Sequence, residues 1–204
     1  MSARGAVAGE AHELDRYSGR ILDAAREELV AYGLRRATLD DIAARAGVSR
    51  ATLYRRFANR DTLLAALVAR ESRRLIADVD ARMRAQDSPV DRLVAAFLAF
   101  ISLLREHTLL RRLVVSDPKM ILPILTSSAT LALGRDYIAA QAAREQAQGA
   151  ELTAEPAIIG ELLARFAHSL ALTPDSVLPL DDEHALTALA RATLVPLVFA
   201  EAPD

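Results

Sequence analysis

The sequence predicts an all-α fold, and three observations carry that prediction. Apolar residues recur three and four positions apart along almost the whole chain, with no strand-like alternation longer than a few residues. Hydrophobic residues make up 52% but aromatics only 4%, with no Trp, so the core must be built from Ala, Leu, Val and Ile. Capping signals, finally, divide the 204 residues into about nine helices.

The first helix is expected from Tyr17, where Tyr17, Ile21, Ala25, Leu29 and Tyr32 form one stripe and Gly33 follows as a C-cap. Thr38-Leu39-Asp40-Asp41 reads as an N-cap with an acid three residues on, opening a short helix that ends at Gly47. Ser49 caps a third short helix, Arg50 to about Phe57. Asn59-Arg60-Asp61 starts a helix striped by Leu64, Val68, Leu75, Val79 and Met83 and running to about Ala85. Ser88-Pro89-Val90-Asp91 opens the next, to about His107, with Pro at the first helical position. A short helix near Leu109–Val115 follows, then an interruption at Asp117-Pro118 and Pro123. Helix is expected again from Thr126 to Gln148, from Glu155-Pro156 to about Leu172, and from about Asp182 to Phe199. Pro196 must kink or end the last of these, because it removes a backbone donor. The layout is a head of three short helices followed by a larger helical body: an N-terminal arm over 1–14, a head over 15–60, and a body over 61–204.

Charge is distributed unevenly. The net formal charge is -2, but residues 1–60 carry +3 and residues 61–204 carry -5. Between Arg35 and Arg60, seven Arg face only Asp40 and Asp41. A basic patch on a near-neutral protein is either a solvated face or the footprint of a nucleic-acid contact. The local pattern favours the second. Ile42 and Ala43 pack a first helix inward, and Ala46 is small enough for close approach. Gly47 permits a left-handed turn, Val48 plugs it, and Leu53 and Phe57 anchor a second helix. Arg50, Ala51, Tyr54 and Arg55 then fall on other faces, on a helix short enough to lie in a major groove.

Thr38…Ile42-Ala43…Ala46-Gly47-Val48-Ser49…Thr52-Leu53-Tyr54…Phe57…Arg60-Asp61…Leu63-Leu64 resembles the N-terminal signature of the TetR family. The resemblance covers roughly residues 17–64, and the body is similar only in size and helical layout. Arg56 and Arg60 stand where His and Lys are common, and both keep a phosphate donor. The resemblance implies a repressor that binds a palindromic double-stranded DNA operator and is released by a small ligand. Tyr54 resembles the tyrosine that touches a phosphate or a thymine methyl. Thr38 and Ser49 would place hydroxyl and backbone N–H on phosphates. Thr52, Arg56 and Arg60 would contact the DNA backbone, Arg50 a base edge, and Ala51 a thymine methyl or the groove. Arg55 would meet either a base or a phosphate. Arg35, Arg36 and Arg45 read as solvated, and Arg4 is a minor-groove candidate in the arm.

The resemblance further implies a homodimer through the last two helices. Its candidate contacts are Ile159, Leu162, Leu163, Phe166 and Leu170 with Leu186, Leu189, Thr193, Leu194 and Leu197. A ligand pocket is implied inside the body. The stripe Val90, Leu93, Phe97, Phe100, Leu104 and His107 would line it for a small apolar ligand, with Tyr137 as a second polar handle. Most of this stripe reads more simply as plain core, and His107 as a helix-end cation.

Other classes find less support. His12, His107, His168 and His184 are scattered without metal-ligand spacing, and no phosphate loop or nucleophile elbow occurs. With no Cys, the chain has no disulfide, thiolate metal site or Cys nucleophile. Neither an enzyme nor a cofactor is expected. The remaining alternative is a helical interaction protein whose helix-turn-helix is purely structural. Met1–Glu13 lacks a signal-peptide core, and the uncharged Leu93–Leu104 falls short of the roughly 20 residues a bilayer span needs. A cytoplasmic protein without membrane contact is therefore expected.

Overall fold

A computed structural model describes residues 3–173 and 175–200, with the side chains of residues 3–15 and 116 left out of that description. The expected arm, with Arg4 and His12, lies outside the described side chains. Ten helices are described and no strand: α1 Ala3–Arg36, α2 Leu39–Ala46, α3 Arg50–Arg56, α4 Arg60–Met83, α5 Pro89–Glu106, α6 Thr108–Ser116, α7 Pro118–Leu125, α8 Ser128–Ala147, α9 Pro156–Leu172 and α10 Glu183–Val198. Leu152 and Phe199 form an isolated antiparallel bridge.

The all-α expectation holds, with one helix more than expected. Pro118 and Pro123, expected as an interruption, both lie within α7. Pro118 stands at its first position, where the missing N–H would have no intrahelical partner anyway. Pro123 sits near the end of an eight-residue helix, so it removes only one bond. In α10 likewise, Pro196 lies inside the helix, which continues to Val198.

The chain divides into two compact units. The first runs to Ala69 and takes in Thr108–Ile124; the second comprises Arg70–His107 and the chain from Leu125 onward. The first unit therefore extends beyond the expected head at residue 60, through the start of α4, α6 and most of α7.

In the first unit, α1 buries Ile21, Ala25 and Leu29. The helix breaks at Gly33 (φ 75°, ψ 173°). Tyr32, expected on the buried stripe, is 53% exposed, and Leu34 beyond the break takes the core position. From α6, Arg112 donates to the Ala31 carbonyl at 3.1 Å, while Leu109 and Leu113 are buried. The α2–α3 turn is closed by two backbone bonds, Gly47 N–H to Ala44 O (3.1 Å) and Val48 N–H to Ala43 O (3.0 Å). This Schellman pattern needs a left-handed residue, and Gly47 supplies it at φ 62°.

In the second unit the core runs through Val90, Val94, Phe97 and Ile101 of α5, Ile159 and Leu163 of α9, and Leu186, Ala190 and Leu194 of α10. The stripe on α5 is thus turned slightly from the expected one: Leu93 and Phe100 are only partly buried beside it. Helices α8 and α9 lie close together at Gly160, where an added Cβ would stand 2.7 Å from the Arg135 carbonyl oxygen and 2.9 Å from the Ala139 Cβ. Polar ties cross between helices as well. Arg92 holds Glu145 through two bonds of 2.8 and 2.7 Å. Tyr137 on α8 donates to Asp80 on α4 at 3.1 Å, beside Gln141 at 3.2 Å.

Two outcomes follow from this packing. Gly160→Ala must force backbone apart, and is expected to cost about 1–3 kcal/mol, read as a lower denaturant midpoint; an unchanged midpoint would show that α8 and α9 part freely. Burial, and then the neighbouring Asp80 carboxylate, hold the Tyr137 phenol well above its ordinary pKa of 10.0. The folded state therefore keeps this proton when the unfolded chain loses it. Its stabilisation is full below the ordinary value and is lost as pH rises above it. The melting temperature of Tyr137→Phe should accordingly fall less steeply above about pH 10 than that of the parent, and parallel curves would contradict the assignment.

Candidate nucleic-acid interface

The head builds its exposed face from two capped helices. Thr38 caps α2, its Oγ1 accepting from Asp41 N–H at 3.1 Å, and Ser49 caps α3 by accepting from Thr52 N–H at 3.1 Å. The Ser49 and Thr52 hydroxyls also share a 2.9 Å bond. Both predicted caps are present, and both hydroxyls are engaged with their own helices.

Seven residues are too few for a helix to persist alone, so α3 depends on its buried side. Leu53 is fully buried and Phe57 is 8% exposed, and Ile42, Ala43 and Ala46 of the neighbouring α2 are buried too. This locks the rotation of α3. Arg50, Ala51, Tyr54 and Arg55 are left exposed, with Tyr54 at 43% despite its large ring. Thr52, Arg56 and Arg60 are half-buried. Arg56 Nε and Arg60 Nη2 are enclosed with no hydrogen-bond partner among the described residues. Arg50 forms an ion pair with Asp40, Nε to Oδ1 at 2.7 Å. Cations and a phenol thus share one side of a helix whose other side is fixed.

Two arginines missed as contributors hold this arrangement from behind. Arg20 on α1 donates to the carbonyls of Ala46 (2.6 Å) and Gly47 (3.2 Å), satisfying the end of α2. Arg45, read from the sequence as solvated, donates to Glu28 at 2.6 Å and Glu27 at 3.3 Å. Glu28 is 5% exposed, and its bond to Arg45 raises the Arg45 pKa. The signal for these ties is weak: the acids on α1 and the base on α2 lie 17 and 18 residues apart in sequence, beyond any helical spacing. Arg35 and Arg36 are exposed, as expected.

The body candidates fare differently. Phe97 is buried and stacks on Phe166, with ring centroids 6.1 Å apart, and Phe100 packs on the same core. Leu104 is half-buried, and His107 caps α5 with its Nε2 3.8 Å from Glu71 Oε2. Tyr137 is committed to Asp80. Phe97, Phe100, His107 and Tyr137 therefore have partners within the unit.

The residues expected at a dimer face, whose stripes an ordinary core would also explain, divide between core and surface. Ile159, Leu163, Leu186 and Leu194 are buried in the core of one chain, and Phe166, Leu170 and Leu189 pack against it. Helical periodicity finds the face turned toward the nearest apolar mass, which here is the chain's own body. Leu162 (48% exposed), Leu197 (43%) and Thr193 stay on the surface, joined by Ile158 (51%), which the stripe did not include.

Among the described residues no single helix is long and apolar enough to cross a membrane, and no three His, Cys, Asp or Glu side chains gather as a metal site.

Residues 21–67 match the family model described as bacterial regulatory proteins, tetR family. The chain is 35% identical over 88 residues to the HTH-type transcriptional regulator Rv1255c of Mycobacterium tuberculosis, covering 43% of this chain and 44% of that protein. It is 30% identical over 118 residues to the HTH-type transcriptional activator FasR of Mycolicibacterium smegmatis, covering 58% and 54%. The chain thus matches about half the length of these curated relatives. A TetR-family transcriptional regulator from Pectobacterium atrosepticum has the same fold, with a TM-score of 0.70 and 19% identity over 94% of this chain and 98% of that one. The likeness in sequence is carried by the head that holds the capped helix pair, which is similar to the TetR family of bacterial regulatory proteins.

Proposed function

We propose that the chain is a sequence-specific DNA-binding transcriptional regulator that acts in the cytoplasm as a homodimer on a two-fold operator, without catalysing a reaction. The observation that carries the reading is the exposed side of α3: Arg50, Ala51, Tyr54 and Arg55 stand clear of a helix fixed by Leu53 and Phe57. In this reading α3 enters the major groove. Arg50 reads a base edge, Tyr54 and Ala51 meet a phosphate or a thymine methyl, and Arg55 a base or a phosphate. Thr38, Ser49, Thr52, Arg56 and Arg60 line the backbone side, where helix N-termini and guanidinium groups favour phosphate.

The proposal includes repression that is lifted by a small apolar ligand held in the body. Such a ligand shifts the protein only by its difference in affinity between two states. Because Phe97, Phe100 and Tyr137 have protein partners, it has to compete with those contacts. A dimer supplies the two heads that a palindrome needs, with half-sites spaced by about 34–36 Å per helical turn. Ile158, Leu162, Thr193 and Leu197 are the surface offered for it.

Selection from random double-stranded DNA should recover a palindrome. Binding to it should weaken steeply with salt, the slope in log–log form falling by about 0.9 for each phosphate contact removed, as in Arg60→Ala. Arg50→Ala with Tyr54→Ala should abolish preference for the selected site. Failure to recover any sequence with salt-sensitive binding would count against the reading.

Assembly separates from folding at neighbouring positions. Leu162→Glu with Leu197→Glu should give a monomer by sedimentation with the melting temperature of the folded chain largely kept. Ile159→Ala should instead destabilise by about 2–5 kcal/mol. A Leu162→Glu, Leu197→Glu variant that sediments as a dimer would exclude this face.

A further inference from the structure

We propose that Asp40 is a positioning residue that sets how strictly Arg50 discriminates between bases; the inference rests on the reading of Arg50 as a base contact. The observation is the ion pair between Arg50 Nε and Asp40 Oδ1 at 2.7 Å, joining the first turn of α3 to the first turn of α2.

Stability does not account for this pair. The two side chains are 66% and 51% exposed, and ion pairs that open to water contribute little to folding. Helix capping does not account for Asp40 either, because Asp41 is the residue that exchanges bonds with Thr38 at the start of α2. On a surface that meets a polyanion, moreover, a carboxylate weakens binding unless its charge is taken up by a neighbouring cation. Asp40 is placed where Arg50 takes it up.

The contact is made at one corner of the guanidinium. Arginine reads guanine by presenting two parallel N–H groups to O6 and N7. Asp40 approaches the guanidinium as an ion pair on its Nε side, which leaves the terminal Nη1 and Nη2 as that pair. A long side chain with several torsions is thereby restrained before DNA arrives, so less freedom is lost on binding. The carboxylate also penalises slippage of the guanidinium to a nearby phosphate, since that leaves Asp40 unpaired beside another anion. Both effects act on specificity more than on affinity.

The test measures base preference at each position of the selected operator for the full chain, with Asp40→Asn, Asp40→Glu, Arg50→Ala and Asp40→Asn/Arg50→Ala. Asp40→Asn is expected to weaken the preference at the pair read by Arg50 by about tenfold, leave preferences elsewhere intact, and raise affinity for random DNA by removing one negative charge. Asp40→Glu, which keeps a carboxylate within reach, should restore most of the preference. In the Arg50→Ala background Asp40→Asn should change no base preference. If Arg50→Ala erases the preference while Asp40→Asn leaves it whole, the positioning role is overturned and the Arg50 reading stands. If Arg50→Ala itself changes no preference, both fall. An equal general loss at every position in Asp40→Asn would mark a folding defect of the head and also overturn the assignment.

Discussion

The exposed side of α3 depends on one constraint: a seven-residue helix has to be held in place by something other than itself. Nucleation costs more than so few backbone bonds return, so α3 persists only through its surroundings. Ser49 closes its start, Leu53 and Phe57 pin its inner face, and the Gly47 turn fixes the angle at which it leaves α2. The turn in its own right leans on α1. Arg20 covers the carbonyls at the end of α2 that the turn leaves open, and its guanidinium stands 2.7 Å from where a Gly47 Cβ would be. Any side chain at position 47 would meet a positive φ and the group that satisfies the turn. The orientation of every exposed residue on α3 follows from this chain of supports.

Where local chemistry decides structure, the sequence was legible. Thr38, Ser49, Ser88 and Asp182 announce helix starts because each side chain accepts a bond within its own first turn, and the structure has all four. Gly47 was legible for the same reason. Contacts across long separations were not. Arg45 looked like any solvated cation because its acids lie on α1, and Gly160 looked like an ordinary helix residue because its neighbour is the backbone of α8. The α7 segment differs from the expectation because proline is a breaker by propensity but harmless at a first position, where Pro118 stands, and tolerated near a helix end, where Pro123 stands.

The apolar stripes of α5, α9 and α10 show a different limit. Periodicity reports which face of a helix is apolar, not what covers it. Leu163 and Leu162 are adjacent in sequence; one lies in the core and the other is half exposed. A helix that serves both a core and a surface patch carries two stripes about a quarter-turn apart, and the stronger one hides the weaker. Ile158 and Leu162, four residues apart, form the weaker stripe on α9. The same reasoning explains the body candidates for ligand contact: Phe97 belongs to the stronger stripe of α5, and its ring is occupied by Phe166.

Arginine has two roles in this chain, and composition cannot separate them. Lys119 is its single lysine, so nearly every positive charge is a planar fork able to grip a carboxylate or a carbonyl at more than one point. In the body that capacity is spent internally: Arg92 on Glu145, Arg105 on Asp181 and Arg191 on Asp91 each join segments distant in sequence. In the head, Arg20 and Arg45 are spent the same way, on α2. What distinguishes the exposed side of α3 is therefore not an excess of arginine but a shortage of acids to consume it. Among the described residues, Arg55 and Tyr54 project without a carboxylate of their own, and the acid that does reach this side, Asp40, pairs with Arg50. Unspent binding capacity on a rigid element is the property that a DNA-reading surface requires, and the chain concentrates it on the one helix whose orientation the rest of the head is built to hold.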